Sequence, residues 1–498
     1  MRLSKVLANV PVEKTPHGSI EIGGLSIDSR KVRKGDLFVA VRGERADGHA
    51  FLAQAERAGA AAALVELEVS SPSLPTVRVP STASALPSVA ANFHGDPSAR
   101  LAVVGVTGTN GKTTVTYLLE SILAAAGRRT AVIGTINYRV GGEVLRSGLT
   151  TPFPHELQEV MAEAVSRSAT HLLMEVSSHS AAQGRIAGVR FDVGVFTNLS
   201  HDHLDFHGDM ESYFAAKAKF FREYLPAGGK RTGMAINADD PYGKRLSREF
   251  PGAMTCGFLR DRSVFPLEVS MKWEGSRIAL HVAGREMELR TGLTGDYNVS
   301  NVMAAVAAAT LLGIPPDAIR AGVERLQNIP GRIEQIRNPR GLHVLVDYAH
   351  TPEGMDRVLS SLVGLGSGRL ITVFGCGGNR DRAKRPEMGR VAALRSDVVV
   401  VTSDNPRNED PDAILSDILP GLREEGFLEA RGEVTWEDGY FVVIPDRKSA
   451  IARALSIARP GDTVAIAGKG HENVQIIKDR SLPFDDRETV RGILAADG

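Results

Sequence analysis

Residues 101–114, Leu-Ala-Val-Val-Gly-Val-Thr-Gly-Thr-Asn-Gly-Lys-Thr-Thr, constrain the fold of this chain more than any other segment. The apolar run 101–104 reads as a buried strand, and Gly105, Gly108 and Gly111 then open a loop. Lys112, Thr113 and Thr114 begin a helical pattern that continues through residues 115–126. A strand that passes through glycines into a helix N-terminus makes a phosphate-binding loop, in which backbone N–H groups surround phosphate oxygens. The predicted phosphate contacts are Gly108, Thr109, Asn110, Gly111, Lys112, Thr113 and Thr114. Lys112 is placed to reach the terminal phosphates, and the Thr113 hydroxyl to ligate Mg²⁺. The strict pattern G-x-x-x-x-G-K-[ST] is not met, because Val106 stands at its first glycine. An ordinary glycine-rich strand-to-helix turn is the competing reading. Lysine followed by two threonines argues against it.

A chain of 498 residues is too long for one core, and its length suggests about three domains. Lys+Arg and Asp+Glu both number 59, so no global field draws nucleic acid or an anionic membrane, and neither is an expected partner. Two cysteines, Cys256 and Cys376, make no disulfide framework, which points to a reducing cytoplasm. Residues 1–14 are mixed in character and read as neither signal peptide nor membrane span. No apolar run elsewhere reaches spanning length.

Composition and pattern divide the chain at 1–99, 100–331 and 332–498. The first stretch is rich in Ala and Val, with β-like pieces such as 36–41 and a helical pattern at 49–59; residues 95–98 read as a linker. From 101 onward strands and helices alternate: strands at 129–135, 171–177 and 193–199, a helix at 155–168. Residues 264–289 alternate as an antiparallel extension, and 328–332 read as a second linker. Strands at 343–347, 370–374, 398–402 and 463–467 then alternate with helices at 351–365 and 411–422. Such alternation predicts an α/β fold: a central phosphate-loop domain with a parallel sheet and a Rossmann-like C-terminal domain.

Ligands of such sheets sit beyond the C-terminal strand ends, and the polar clusters fall there. Glu175 follows the apolar run 172–174, where a carboxylate is costly to desolvate without a cation; Mg²⁺ bound to ATP is a fitting partner. A capping or salt-bridged Glu is the alternative. His201-Asp-His-Leu-Asp-Phe-His207 is dense in ligand types, but its spacing fits no structural zinc pattern. A loop close to Mg²⁺, with His203 as the leading candidate, is the preferred reading over a solvated loop.

In order along the chain stand Gly105 to Thr114, Met174-Glu-Val-Ser-Ser-His179, Asn237-Ala-Asp-Asp-Pro241, Gly295-Asp-Tyr-Asn-Val-Ser-Asn301, Asp347-Tyr-Ala-His-Thr-Pro352, Phe374-Gly-Cys-Gly-Gly-Asn-Arg-Asp381 and Asp404-Asn-Pro-Arg407. Over essentially the whole length this series resembles the UDP-N-acetylmuramoyl-L-alanyl-D-glutamate ligases, within the Mur ligase and folylpolyglutamate synthetase superfamily. The resemblance implies three domains, for UDP-substrate, ATP and amino acid, and a monomer. It implies that Ile27 and Ser29, in the Asp28-Ser-Arg30 motif, touch uridine. It implies that Thr150, Thr151, Ser177, Gln183 and Arg185 bind the UDP-muramoyl dipeptide, where a guanidinium suits phosphate or carboxylate. Asn298, Asn301 and Asp347 would contact adenine and ribose; helix caps and an internal salt bridge are the alternatives.

The resemblance further implies that Lys217 is carbamylated by CO₂, turning an amine into an oxygen donor. A helix-surface lysine is the plainer reading from sequence, with Lys219 a nearby decoy. Thr113, Glu175, His203 and the modified Lys217 would hold Mg²⁺, and Lys112, Lys217 and His203 would act in catalysis. Asp404, Asn405, Pro406 and Arg407 match members that add meso-diaminopimelate, Arg407 pairing with its second carboxylate. Arg380, Gly468 and Glu472 match further contacts, Glu472 with the distal ammonium.

The implied reaction is ATP-dependent amide formation: a carboxylate of D-Glu takes the γ-phosphoryl group, the amine attacks the acyl carbon, and phosphate leaves. Positioning and charge neutralisation would carry catalysis. His350 or His179 is a candidate proton acceptor. Arg407 argues against a lysine-adding ligase, and the Asp28-Ser-Arg30 start against folylpolyglutamate synthetase. A regulatory nucleotide switch is the rival from another class, but no Asn-Lys-x-Asp guanine motif occurs. Neutral net charge and 5% aromatic content give nucleic-acid binding little support.

Overall fold

The computed structural model describes residues 1–13, 19–43, 46–68, 74–366, 368–430 and 438–496. Lys14, the last residue of the segment 1–14 discussed above, and residues 497–498 of the predicted last domain lie outside the described residues. The chain is mixed α/β with parallel sheets, as the alternation predicts. Among the described residues no helix is long and apolar enough to cross a membrane.

Two compact units emerge. One comprises Met1–Gly108, Gly127–Phe196 and Ala215–Ala235. It begins with a four-stranded parallel sheet, Gly24–Ser26, Asp36–Val39, Ala62–Val65 and Thr76–Arg78, paired in chain order. Helix Thr82–His94 follows; Ser81 caps its start by accepting from the Ser84 N–H, and Gly95 at φ 72° ends it. Residues 95–98, read as a linker, are thus a helix stop running into the short turn Pro97–Arg100.

The second sheet of this unit runs Val193–Phe196, Ala102–Thr107, His171–Glu175, Thr130–Ile133, all parallel, then turns antiparallel through Tyr138–Val140 and Glu143–Arg146. The four parallel strands are buried almost throughout. That is why they read as continuous apolar runs, the mark of a sheet covered on both faces.

The other unit comprises Thr109–Ala126, Thr197–Phe214 and Ile236–Gly498. It holds helix Lys112–Ala125, helices Asp296–Leu311 and Pro316–Arg325, and an antiparallel meander, Val264–Lys272, Gly275–Val282 and Arg285–Thr291. The meander is the antiparallel extension expected from the alternation of 264–289.

Its seven-stranded sheet has the order Glu334–Ile336, His343–Asp347, Thr463–Ala467, Leu370–Phe374, Val398–Val401, Tyr440–Val443, Leu428–Glu429, parallel except for the first pair. Successive side chains of a strand point to opposite faces. Leu345, Val399 and Ala465 accordingly pack with Met355, Met388 and Ile418, whereas Val344, Val398 and Val464 pack with Ile451 and Leu494. Helices Pro352–Val363, Lys384–Arg395 and Pro411–Glu424 therefore cover one face, and Arg447–Ile457 and Asp486–Ala496 the other. The predicted helices 351–365 and 411–422 are there with shifted ends; helices Lys384–Arg395 and Arg447–Ile457 and strand Tyr440–Val443 were not anticipated.

Candidate active site

The phosphate loop is held by the segment that follows Phe196. The Thr109 N–H donates to the Asn198 carbonyl at 2.8 Å, and the Asn110 N–H to Asn198 Oδ1 at 2.9 Å. Thr197 Oγ1 and Asn198 Nδ2 both donate to the Asn110 carbonyl, at 2.6 and 3.1 Å. The Thr109 hydroxyl accepts from the Ser200 N–H at 3.0 Å and meets Tyr213 Oη at 3.1 Å. Lys112 Nζ curls back to the Thr109 carbonyl at 2.8 Å, and Thr113 and Thr114 are buried in the first turn of helix Lys112–Ala125. Gly111 caps that helix at φ +87°. A Cβ there would stand 2.2 Å from Asn301 Oδ1, so both backbone conformation and space demand glycine.

Asn110, Gly111 and Thr114 line a cleft together with Asn298, Asn301 and Asp347. The three residues predicted to contact adenine and ribose thus gather at the phosphate loop. Asn298 and Asn301 lie three apart in the first turns of helix Asp296–Leu311, hence on one face. They are linked, Asn301 Nδ2 donating to Asn298 Oδ1 at 3.2 Å and Asn298 Nδ2 to the Thr294 carbonyl at 2.8 Å. Neither is the cap, which is Gly295. Asp347 accepts the Ile333 and Ala349 N–H groups, each at 2.7 Å; burial pushes its carboxyl up, against the field of Arg332.

Tyr297, Arg332, Tyr348 and His350 line the same cleft and were not singled out as nucleotide contacts from sequence. Arg332 lies over the Tyr348 ring at 4.7 Å. Tyr297 Oη and Arg332 Nε are buried and have no hydrogen-bond partner among the described residues. Buried polar atoms left open beside the phosphate loop fit a polar guest such as a nucleoside phosphate. Burial, seconded by Lys384, holds the His350 imidazole below its ordinary range, against Asp202.

The predicted Mg²⁺ ligands divide as follows. Glu175 is buried, Oε1 accepting the Thr135 N–H at 3.1 Å and Oε2 the Thr135 hydroxyl at 2.8 Å. Lys217 is buried too, contrary to the plain reading of a helix-surface lysine, and donates to the Gly108 carbonyl at 2.8 Å; Lys219 is half-buried, beside Glu223. His203 adopts φ 54°, sits edge-on to Tyr213 and lies 3.4 Å from Asp202. Among the described residues no three His, Cys, Asp or Glu side chains gather as a metal cage. Mg²⁺ carried with a nucleotide takes most of its ligands from phosphate and water, so hydroxyl, carboxylate and imidazole donors of this kind suit it.

The predicted dipeptide contacts form one network. Thr151 Oγ1 donates to the Glu175 carbonyl at 2.8 Å and accepts the Ser177 N–H at 3.0 Å, and Thr150 Oγ1 meets Thr135 Oγ1 at 3.1 Å. Arg185 donates to Gln183 Oε1 and to the Thr151 carbonyl, with its guanidinium 4.4 Å from the Phe153 ring centre. Ser29 is elsewhere, donating to Gln54 Oε1 at 3.0 Å, and Ile27 packs on the core of the four-stranded sheet. Among the described residues no hydrogen bond joins Ser29 to the Thr150–Arg185 network. Between them Asp28 forms a fork with Arg30, whose hydrogen bonds hold the carboxyl down at about 2.

A third cluster closes the C-terminal sheet. Arg407, at φ 53°, donates through Nη1 to the Gly378 carbonyl at 2.7 Å, and its backbone pairs with Ile477. A Cβ on Gly377 would lie 2.9 Å from Arg407 Nη1 and 3.8 Å from Arg380 Cγ, so the Arg407 guanidinium and the stem of Arg380 border one point. Burial, then Arg380, holds the Arg407 guanidinium below its ordinary range, with Asp404 and Glu472 opposing. Gly468, at φ 114°, brings its backbone against Asp404, whose Oδ2 would meet a Cβ at 2.6 Å. The Pro406 carbonyl presses on Gly378, and Asn405 Nδ2 donates to Glu472 Oε2 at 2.7 Å. All seven predicted amino-acid contacts therefore come together. Lys469, fully buried among them, was missed.

Three family descriptions match successive stretches: "Mur ligase family, catalytic domain" at 21–94, "Mur ligase middle domain" at 106–309 and "Mur ligase, glutamate ligase domain" at 331–470. A UDP-N-acetylmuramoyl-L-alanyl-D-glutamate–2,6-diaminopimelate ligase from Geobacter metallireducens is 45% identical over 479 residues, 95% of this chain and 94% of that relative. Its counterpart from Solibacter usitatus is 42% identical, covering 100% of this chain and 99% of its own length. A solved structure of a ligase of the same name is 30% identical with a TM-score of 0.70, covering 100% of this chain and 99% of the other.

Proposed function

The chain belongs to the Mur ligase family, and on that premise we propose that it joins meso-2,6-diaminopimelate to UDP-N-acetylmuramoyl-L-alanyl-D-glutamate with hydrolysis of ATP, in building the cell wall peptide. The observation that carries the choice of amino acid is the half-buried Arg407 guanidinium within the electrostatic reach of Arg380, Asp404 and Glu472. The guanidinium of Arg407 offers a carboxylate bidentate, charge-assisted bonds, and Glu472 offers a partner for an ammonium. The distal end of diaminopimelate carries both groups; the side chain of lysine carries only the ammonium.

In this reading the cleft between Gly111 and Asp347 takes ATP, with Asn298, Asn301 and Asp347 at adenosine and the 108–114 loop at the phosphates. Lys112 swings from the Thr109 carbonyl to the terminal phosphates. Thr113, Glu175, His203 and a carbamylated Lys217 hold Mg²⁺, which when bound supplies positive charge at the phosphoryl group. Thr150, Thr151, Ser177, Gln183 and Arg185 orient the dipeptide, and Ile27 and Ser29 the uridine. The γ-carboxylate of D-Glu attacks the γ-phosphorus and ADP departs. The diaminopimelate amine then attacks the acyl carbon, loses a proton and displaces phosphate. The reading also carries three domains at 1–99, 100–331 and 332–498, a monomer and a cytoplasmic location.

The test is phosphate release with ATP, Mg²⁺ and the UDP-muramoyl dipeptide, offering meso-diaminopimelate or L-lysine. Release with diaminopimelate alone is expected. Release with lysine would overturn the amino-acid choice, and release with neither would overturn the ligase reading.

A further inference from the structure

Lys469 has no exposed surface at all. A lysine is rarely buried so deeply, because its ammonium must leave water, and it stays charged there only if fully partnered. Here the partners are three: the Val474 carbonyl at 2.6 Å, Glu472 Oε2 at 3.1 Å and Asn405 Oδ1 at 3.2 Å. Asn405 closes the ring, donating through Nδ2 to the same Glu472 oxygen at 2.7 Å while Oδ1 accepts the Ile476 N–H at 2.9 Å. Both donors fall on Oε2. Glu472 Oε1 accepts no hydrogen bond from the described residues.

We propose that Lys469 is a positioning residue for the amino-acid acceptor: it fixes Glu472 by one oxygen so that the other is held ready for the distal ammonium. The inference rests on the reading of Glu472 as the partner of that ammonium. The asymmetry is what gives it content. A carboxylate free to rotate would lose side-chain entropy on meeting the ligand, whereas one pinned through Oε2 has lost it in advance.

The experiment compares Lys469→Met with the full-length wild type, using two acceptors. One is meso-diaminopimelate; the other is 2-aminopimelate, which keeps the distal carboxylate and lacks the distal ammonium. For Lys469→Met, KM for diaminopimelate should rise at least tenfold, KM for 2-aminopimelate less than threefold, and KM for ATP should stay within twofold. A lesion that merely loosened the fold would raise all three. Lys469→Gln, neutral but still a donor to Val474, is made beside it in case methionine costs the fold, with the same pattern expected. In the Glu472→Gln background the effect of either change on diaminopimelate should vanish, because the residue acts through Glu472. Equal rises for the two acceptors, or an undiminished effect without the Glu472 carboxylate, would overturn the inference. A wild type that releases no phosphate with diaminopimelate would instead overturn the function from which it starts.

Discussion

Thr109 Oγ1 and Tyr213 Oη meet at 3.1 Å across 104 residues of sequence, tying the phosphate loop to the helix that carries Lys217. The same Tyr213 ring stacks on His207 at 4.9 Å and presents its edge to His203. Burial holds its phenol well above the ordinary range, so it remains a neutral donor. Tyr213→Phe keeps the ring and removes the bond, leaving the Thr109 hydroxyl to Ser200 alone. A loss of about 1 kcal/mol in stability is expected, with kcat falling roughly fivefold and little change in KM for diaminopimelate. Chemical denaturation and steady-state phosphate release check it.

Gly111→Ala adds one methyl group where Asn301 Oδ1 stands 2.2 Å away, on backbone at φ +87°. The strain costs about 1–3 kcal/mol, and either Asn301 or the loop must move. Calorimetric titration with ATP should show at least tenfold weaker binding. Unaltered affinity would remove Asn301 from the nucleotide site.

Lys112→Ala leaves helix Lys112–Ala125 its favoured starting residues but takes the cation from the phosphates. Phosphate release should fall below detection while ATP still binds, measurably weaker. An active variant would refute the assignment of Lys112.

Arg407→Lys exchanges a planar fork for a point charge. The expected loss in kcat/KM for diaminopimelate is about 2–3 kcal/mol, or roughly 30- to 150-fold, with KM for ATP unchanged. Initial rates at varied diaminopimelate test it.

Burial, then Arg332 and Arg487, lowers the His471 imidazole to about 3. An unfolded histidine titrates near 6.5. Between those values the unfolded chain binds a proton that the folded chain refuses, so stability rises with pH across that window. The contribution is complete above pH 6.5 and is lost as pH falls below it, by at most about 1.4 kcal/mol per unit from this residue. His471→Gln should flatten the decline. Urea midpoints of both proteins at pH 7 and pH 5.5 measure it; equal declines would exclude His471 as the cause.

The phosphate loop was legible because its chemistry is written in consecutive residues; Asn298 and Asn301 were named through the family resemblance, and the fold sets them on one helix face. Arg332 and Tyr348 were not, since they reach the cleft only when distant segments converge. Helices Lys384–Arg395 and Arg447–Ile457 were hidden for a different reason. Each opens on basic residues that look solvated, yet Arg385 and Arg447 are among the most buried side chains. Arg385 is held by Glu409 and Asp417, and Arg447 by the equally buried Asp486 at 2.7 Å. Apolar periodicity cannot register an interior built from ion pairs. Lys469 and Lys217 were underrated on the same ground: nothing local distinguishes a buried lysine from an exposed one.

The left-handed turn at Gly111 reaches beyond chemistry into heredity. Every single-nucleotide change that alters the meaning of a glycine codon specifies either a stop or a residue bearing a Cβ, and each such residue meets Asn301. No single-base change of amino acid offers this position a tolerable neighbour. A lineage that altered Gly111 would first have to surrender Asn301, and with it one of the two asparagines of the cleft. Gly111 is therefore expected to persist in every lineage that keeps Asn301, a glycine fixed by the asparagine it faces as much as by its own turn.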